Sequence, residues 1–334
     1  MGRLFRITWS LALAVTLLAG PFSLASAAEK KAGPGYPQKG KVLTIIVPYN
    51  AGGGADTDAR LIAPLLEKKL GISVQVVNKP GAGTQVGMTE LTSAKPDGYT
   101  LLLGHFPGSV TTYCDPARQT PYSRKDIKAV AFTCAEPFCF FVKKDSPYKT
   151  MKDVVEYAKA NPEKFKVSVT GLLLPPHLSV LELQKVSGAK FAPVNFDGSA
   201  PGRTAFLGGH TDGIVALVSE GLGMMKADQA RMLGVMDQER TFLVPEIPTM
   251  IQQGYKVLMP NTEGILAPGQ TPSSVIKVLE KAFKAVTVEP SYQEKMKQLG
   301  ITVRFKNAAE SEEWLTRLEN QVRPLIEEVR KQQK

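Results

Sequence analysis

The sequence predicts an α/β fold with a parallel sheet. Short runs rich in β-branched residues alternate with apolar patterns at helical spacing. The joints between them are turns such as Asn78-Lys79-Pro80-Gly81-Ala82-Gly83 and Pro96-Asp97-Gly98. Strands that alternate with helices are the pattern of βαβ units, not of a sandwich or a bundle. Open sheets of this kind hold ligands at the carboxyl ends of their strands.

The first unit is the most complete. It reads VLTIIVPYNAGGGADTDAR from Val42 to Arg60. Val42–Val47 is a strand, Gly52, Gly53 and Gly54 form a turn, and Leu61, Ile62, Leu65 and Leu66 open a helix. Such a turn presents backbone N–H groups at the positive end of a helix dipole, which suits an anion. No Lys or Arg lies in the turn itself, so backbone donors would do most of the holding.

Further strands are predicted at 73–77, 99–103, 128–134, 139–143, 166–170, 193–196, 211–217, 231–236, 264–267 and 302–305. Helices are predicted at 84–94, 148–160, 177–186, 200–207, 272–286, from Pro290, and from Ala308 to the end, the last kinked or restarted at Pro324. Residues 104–109 and 171–176 read as turns after strand ends.

The N-terminus reads as a targeting segment. Arg3 and Arg6 precede the apolar stretch Leu11–Ala19, and Ala25-Ser26-Ala27 fits a cleavage site, so residues 1–27 are expected to be removed. No later stretch is long and apolar enough to span a bilayer, so an exported chain without stable membrane insertion is expected. Losing two arginines lowers the net charge from +10 to +8. The lysines are dispersed, with no basic block and no basic–aromatic interleaving, so a nucleic-acid partner is not supported. Cys114, Cys134 and Cys139 allow one disulfide and one free thiol in an oxidising compartment; the spacing does not say which pair. No metal is expected, because His105, His177 and His210 are far apart and no C-x-x-C occurs.

Catalytic chemistry is poorly supported. There is no G-x-S-x-G elbow, and Ser109, Ser168 and Ser199 have no base nearby in sequence. Asp56 and Asp58 are the best paired carboxylates, but two acids at a helix start commonly serve the cap and the dipole. No cofactor is expected: the glycines do not form G-x-G-x-x-G, and the P-loop lysine is missing. His177 at a helix start and His105 at a strand end are candidates for ligand contact, each against a purely structural role. His210 reads as surface.

At this point the chain resembles a known family. PYNAGGGADTDAR is similar to the first motif of the tripartite tricarboxylate transporter solute-binding receptors, the Bug or TctC family. The resemblance continues through NKPGAGTQVG (Asn78–Gly87), KPDGYTLLLG (Lys95–Gly104) and PPHLSVLELQKVSG (Pro175–Gly188). NFDGSAP (Asn195–Pro201), LGGHTDG (Leu207–Gly213), VPEIPTMIQQG (Val244–Gly254) and ILAPGQTP (Ile265–Pro272) complete it. It covers essentially the whole mature chain, with the motifs in order.

The resemblance implies a two-domain periplasmic binding protein of the type II-like fold with crossing hinge strands, closing like a pincer. Domain 1 would be residues 40–140 plus 257–334 and domain 2 residues 141–256. It implies a periplasmic receptor, a monomer and not an enzyme, that carries an organic acid to membrane transporter subunits. By position the ligand would meet Asn50, Gly53, Gly54, Ala55 and Asp56 in the first loop, and His105 and Ser109 in a neighbouring loop. Thr170, Leu172, His177, Asn195 and Asp212 would face them from the second domain. Several residues depart from the pattern: Ala51 for Pro, Ala55 for Thr or Ser, Asn195 for Pro, Asp197 for Lys, and Leu172-Leu173-Leu174-Pro175-Pro176 for a Gly/Ser-rich loop. These point away from citrate and toward a carboxylate with an apolar or aromatic body. The alternatives are an exported hydrolase or lyase using Asp56 and His177, and a receptor that presents its ligand to a sensor kinase.

Overall fold

The computed structural model describes residues 35–332. The targeting segment read at residues 1–27 lies outside them. In chain order the strands are β1 (Val42–Val47), β2 (Ser73–Asn78), β3 (Thr100–Phe106), β4 (Ile127–Lys143), β5 (Lys166–Thr170), β6 (Ala192–Phe196), β7 (Gly213–Leu217), β8 (Ala230–Val235), β9 (Pro260–Pro268) and β10 (Thr302–Lys306). The helices are α1 (Gly54–Leu70), α2 (Gln85–Ser93), α3 (Gly108–Cys114), α4 (Met151–Ala160), α5 (Pro175–Ser187), α6 (Ser199–Leu207), α7 (Val218–Lys226), α8 (Ser273–Thr287), α9 (Pro290–Gln298) and α10 (Ala308–Gln332). The predicted α/β class holds.

The strands form one curled sheet in the order β2-β1-β3-β9-β4-β7-β5-β6, with β8 and β10 also paired to β4. At one end β1, β2 and β3 run parallel. At the other β5, β6 and β7 run parallel. Between them β9 and β4 are antiparallel to their neighbours.

The sequence reading placed two strands at 128–134 and 139–143. The structure makes them one strand, β4, of 17 residues. The residue that divided them was Pro137, which lacks the N–H a ladder needs. In the structure it stands where β4 changes partners. Ile127–Pro137 pairs with β9, and Phe138–Val142 pairs with β7. The missing donor thus falls at the seam between two ladders.

The apolar residues alternate along the strands as a sheet covered on both faces requires. Leu43, Ile45 and Val47 of β1 pack with α1, α8 and α9, while Ile46 faces α2, α3 and α10. Along β4, Phe140 and Val142 join α4 and β5, whereas Cys139 and Phe141 join α6 and α7.

Two helices were missed. α3 contains Val110, Thr111 and Thr112, and β-branched residues weaken a helical reading. α7 contains two glycines. One of them, Gly221, has a packing reason: a Cβ there would lie 1.9 Å from Phe141 Cζ. The C-terminal helix α10 runs through Pro324 as one helix, so of the kink or restart expected there the restart does not occur. The cysteine expectation is also corrected. All three are buried free thiols. Cys134 and Cys139 lie five positions apart on one extended strand, about 16 Å, far beyond disulfide reach.

The turn between β5 and α5 is fixed from within. Leu173 has φ 60°, a left-handed conformation that costs a branched side chain about 1–2 kcal/mol. Its N–H donates to Nδ1 of His177, 3.0 Å away. The side chain of Leu173 is buried in the cluster of Phe106, Met88 and Leu315. His177 is itself buried, and burial pushes its pKa down from 6.5 to about 4.

Two outcomes follow from this packing. Gly221→Ala should lower stability by about 1–3 kcal/mol through overpacking against Phe141, read as a lower urea midpoint at unchanged slope. For His177, the unfolded chain takes up the proton before the native one as pH falls. Its contribution is therefore complete above about pH 6.5 and is lost by up to about 1.4 kcal/mol per pH unit down to about pH 4. Urea unfolding across that range should show this slope in the parent chain and not in His177→Gln.

Candidate functional site

A cavity of about 250 Å³ opens at the carboxyl ends of the parallel strands. One wall comes from Tyr49 after β1, Gly83 and Thr84 after β2, His105 of β3 and Gly108 of α3. The facing wall comes from Thr170 at the end of β5, Leu174, Pro175 and Pro176 at the start of α5, and Ser199 of α6. Phe138 of β4, Asn261 of β9, and Val215 through Leu217 of β7 with Glu220 of α7 close the rest.

The walls are mostly apolar. Pro175 and Pro176 occupy the first turn of α5 and remove two N–H donors that a helix start would offer an anion. No Lys or Arg lines this cavity. A narrow recess beside it shares Thr170, Ser199 and Glu220 and adds Arg203.

His105 is the best-held polar group. Nε2 lies 2.7 Å from Glu263 Oε1, across the β3–β9 ladder that pairs the two residues. The Tyr49 ring sits 5.0 Å from the imidazole, centroid to centroid. The backbone N–H of His105 donates to Tyr49 Oη, and its carbonyl accepts from Ser109 Oγ at 3.0 Å. Burial pushes the Tyr49 phenol up to about 12, so it stays protonated.

Behind Glu263 lies Asp58 of α1, which accepts from Tyr292 Oη at 2.9 Å. Burial, and then the Glu263 charge, hold the Asp58 carboxyl well above the usual range, so it keeps a proton. Burial pushes Glu263 the same way, but His105 and the Asp58 proton more than offset it and keep Glu263 ionised. Asp58 Oδ2 and Glu263 Oε2 are buried without any other donor. A proton shared between the two carboxyls satisfies both. Atoms of Asp58, Glu263 and Cys134 lie within 4.8 Å of one another. Burial also pushes the Cys134 thiol well above its ordinary range.

The structure brings some of the sequence candidates together and leaves others apart. His105 and Thr170 line the cavity, and Ser109 braces His105 from below. Asn50, Gly53 and Gly54 are exposed beside Tyr49, Ala55 is buried, and none of them lines the cavity. Asp56 turns both oxygens inward, accepting from Gly52 N at 2.8 Å, Arg60 Nε at 3.0 Å and Asn78 Nδ2 at 3.0 Å. Those donors lower its pKa to about 2, so it fixes the glycine turn as a permanent anion. Leu172 and Asn195 face solvent, and Leu174 takes the cavity side of the loop. His177 holds Leu173 and does not reach the cavity. Asp212 accepts from Lys166 N, at the opposite end of β5 from Thr170.

Sequence reasoning missed Tyr49, Phe138, Glu220, Arg203 and Asn261. Glu220 had a signal: it follows a strand end, where ligands gather. Phe138 and Asn261 had none, since both depend on where β4 and β9 cross.

The sequence profile of the tripartite tricarboxylate transporter family receptor, TctC, matches residues 59–330. A Cupriavidus necator protein, the UPF0065 protein in the gbd 5′ region, is 28% identical over 294 residues, 88% of each chain. Among solved structures, a TctC solute-binding protein from Polaromonas superposes with a TM-score of 0.80 at 25% identity, covering 88% of this chain and 100% of that one. The periplasmic binding protein BugD gives 0.67 at 27% identity, covering 88% and 98%. Two Rhodopseudomonas palustris proteins share the fold: MatC with bound malate (0.69, 22% identity, 87% and 100% covered) and Rpa4515 with adipate (0.68, 23%, 86% and 95%). The chain belongs to the TctC family of tripartite tricarboxylate transporter receptors.

Proposed function

We propose that this receptor captures an organic acid with an apolar body and hands it to a membrane transporter of the tripartite tricarboxylate type. The carrying observation is the cavity: apolar through the middle, with His105 at one side and Ser199, Glu220 and Arg203 at the other. A carboxylate is placed at His105 and the backbone N–H groups near it. The hydrocarbon body lies against Phe138, Leu174 and Pro176, and a second polar group reaches the recess at Arg203. Adipate, held by one neighbour of this fold, is an acid of that general layout.

The proposed lobes are residues 40–140 plus 257–334 and residues 141–256. The change of ladder between Pro137 and Phe138 supports a boundary near there. Residues 1–27 are proposed as a cleaved signal and the mature chain as a periplasmic monomer. Among the described residues no helix is long and apolar enough to cross a membrane. A hydrolase or lyase reading loses support because Asp56 gives both oxygens to Gly52, Arg60 and Asn78, and His177 gives Nδ1 to the Leu173 N–H and does not line the cavity.

Calorimetry against adipate, benzoate and citrate tests the ligand class. Adipate or benzoate should bind more tightly than citrate, and tight citrate binding with neither of the others overturns the reading. Leu174→Ala should weaken the apolar-bodied acid about tenfold, the loss of two or so buried carbons, and leave a short polar acid such as malate nearly unaffected.

A further inference from the structure

We propose that a second cavity, on the opposite face of the β4–β9 ladder from the first, binds a small oxyanion carrying two or more charges. The inference does not depend on what the first cavity holds.

This second cavity has a volume of about 440 Å³. Ala135 of β4 and Thr262 of β9, which pair across the ladder, form its floor. Asn261, the neighbour of Thr262 along β9, lines the first cavity. Successive side chains of a strand point to opposite faces, so the two cavities lie back to back at the crossing of β4 and β9. The walls of the second come from Asp237 after β8, Lys256 before β9, Arg304 and Lys306 of β10, and Trp314 and Arg317 of α10.

The fold gathers four cations in this one concavity. In β10, Val303 and Phe305 pack into the core beneath α8 and α9, and the alternation turns Arg304 and Lys306 the other way, to the cavity. Arg317 follows Trp314 by one helical turn and shares its face. The Trp314 indole stands edge-on to Phe106 and Phe132, which fixes that wall.

One lining carboxylate faces these cations, and it is already spent. Asp237 is buried, accepting from Arg304 Nη1 at 2.6 Å and from Gln238 N at 2.7 Å. The pair holds the Arg304 guanidinium in place without neutralising its neighbours. Among the described residues, Lys256 and Lys306 form no ion pair. Lys256 is felt by Glu182, but burial pushes that carboxyl up to about 7, and it accepts from Gln321 Nε2. Glu239 and Glu313 reach Arg304 and Arg317 at 3.9 and 3.4 Å; both acids are exposed and screened by water. Cations drawn together in a concavity repel one another, and its walls focus their field on a counter-ion. A multivalent oxyanion relieves that repulsion and meets a guanidinium already oriented to donate. The first cavity, without Lys or Arg, offers it nothing comparable.

Calorimetry with inorganic pyrophosphate, in a phosphate-free buffer of low ionic strength, tests the site. One pyrophosphate should bind per chain, with affinity falling as salt is added. Lys256→Gln with Lys306→Gln should weaken binding by at least about tenfold. Lys277→Gln with Lys281→Gln removes the same charge from the exposed face of α8 and should change little. An unchanged urea midpoint shows that each variant is folded; where the first pair fails to fold, Arg317→Gln, at an exposed side chain, carries the test. Adipate should bind in the presence of saturating pyrophosphate. No binding of pyrophosphate, or equal losses in the two double variants, overturns the proposal. Displacement of pyrophosphate by adipate puts it in the first cavity and overturns the proposal too. Failure of adipate alone to bind bears on the first cavity and leaves the pyrophosphate result to decide this one.

Discussion

A strand of 17 residues that is buried almost from end to end has few places to leave a backbone group unpaired. That constraint shapes the rest of the molecule. β4 needs partners on both edges along its whole length, and no single neighbouring strand is that long. It takes β9 and β10 for its first part and β7 and β8 for its second. The curl of the sheet follows from this change of partners, and so does the cavity. Phe138 is the first residue past the seam, and Asn261 lies on β9 just before the ladder ends. Both line the cavity because it forms where the two ladders part.

Most of the βαβ pattern was legible because it is local. The strand–turn–helix at Val42–Leu66 follows from β-branched residues, three glycines and helical spacing, none of which needs tertiary information. The α4 start was legible for the same reason: Thr150 and Asp153 cap one another's backbone N–H groups. What was not legible depended on distant neighbours. Pro137 reads as a strand breaker until β4 is seen to change ladders there. Gly221 reads as loop until Phe141 is seen against it. Asp58 reads as a helix-start acid, and only the fold brings Glu263, 205 positions later, beside it.

The site shows the same division. Family position pointed to the loops after β1, β3 and β5, at whose ends the cavity lies. It did not reveal which atoms were already spent. Asp56 commits both oxygens to Gly52, Arg60 and Asn78, and His177 commits Nδ1 to Leu173. A polar side chain at the right address is available to a ligand only if the protein leaves it a free lone pair or hydrogen. His105 meets that condition at Nδ1.

The loop from Gly171 to Pro176 carries this reasoning to specificity. Its backbone is strained at Leu173 and is held there by His177 and by burial of the Leu173 side chain. Such a segment adapts poorly, so the wall it offers is fixed in shape. It is also fixed in chemistry. Two prolines silence the first turn of α5, which in another sequence would have been an anion site. A second acid group brought to this wall would lose its water and gain no donor, at a cost of several kcal/mol for an unpaired charge. Hydrocarbon loses nothing there. On the proposed reading, discrimination comes from donors the chain lacks as much as from those it supplies.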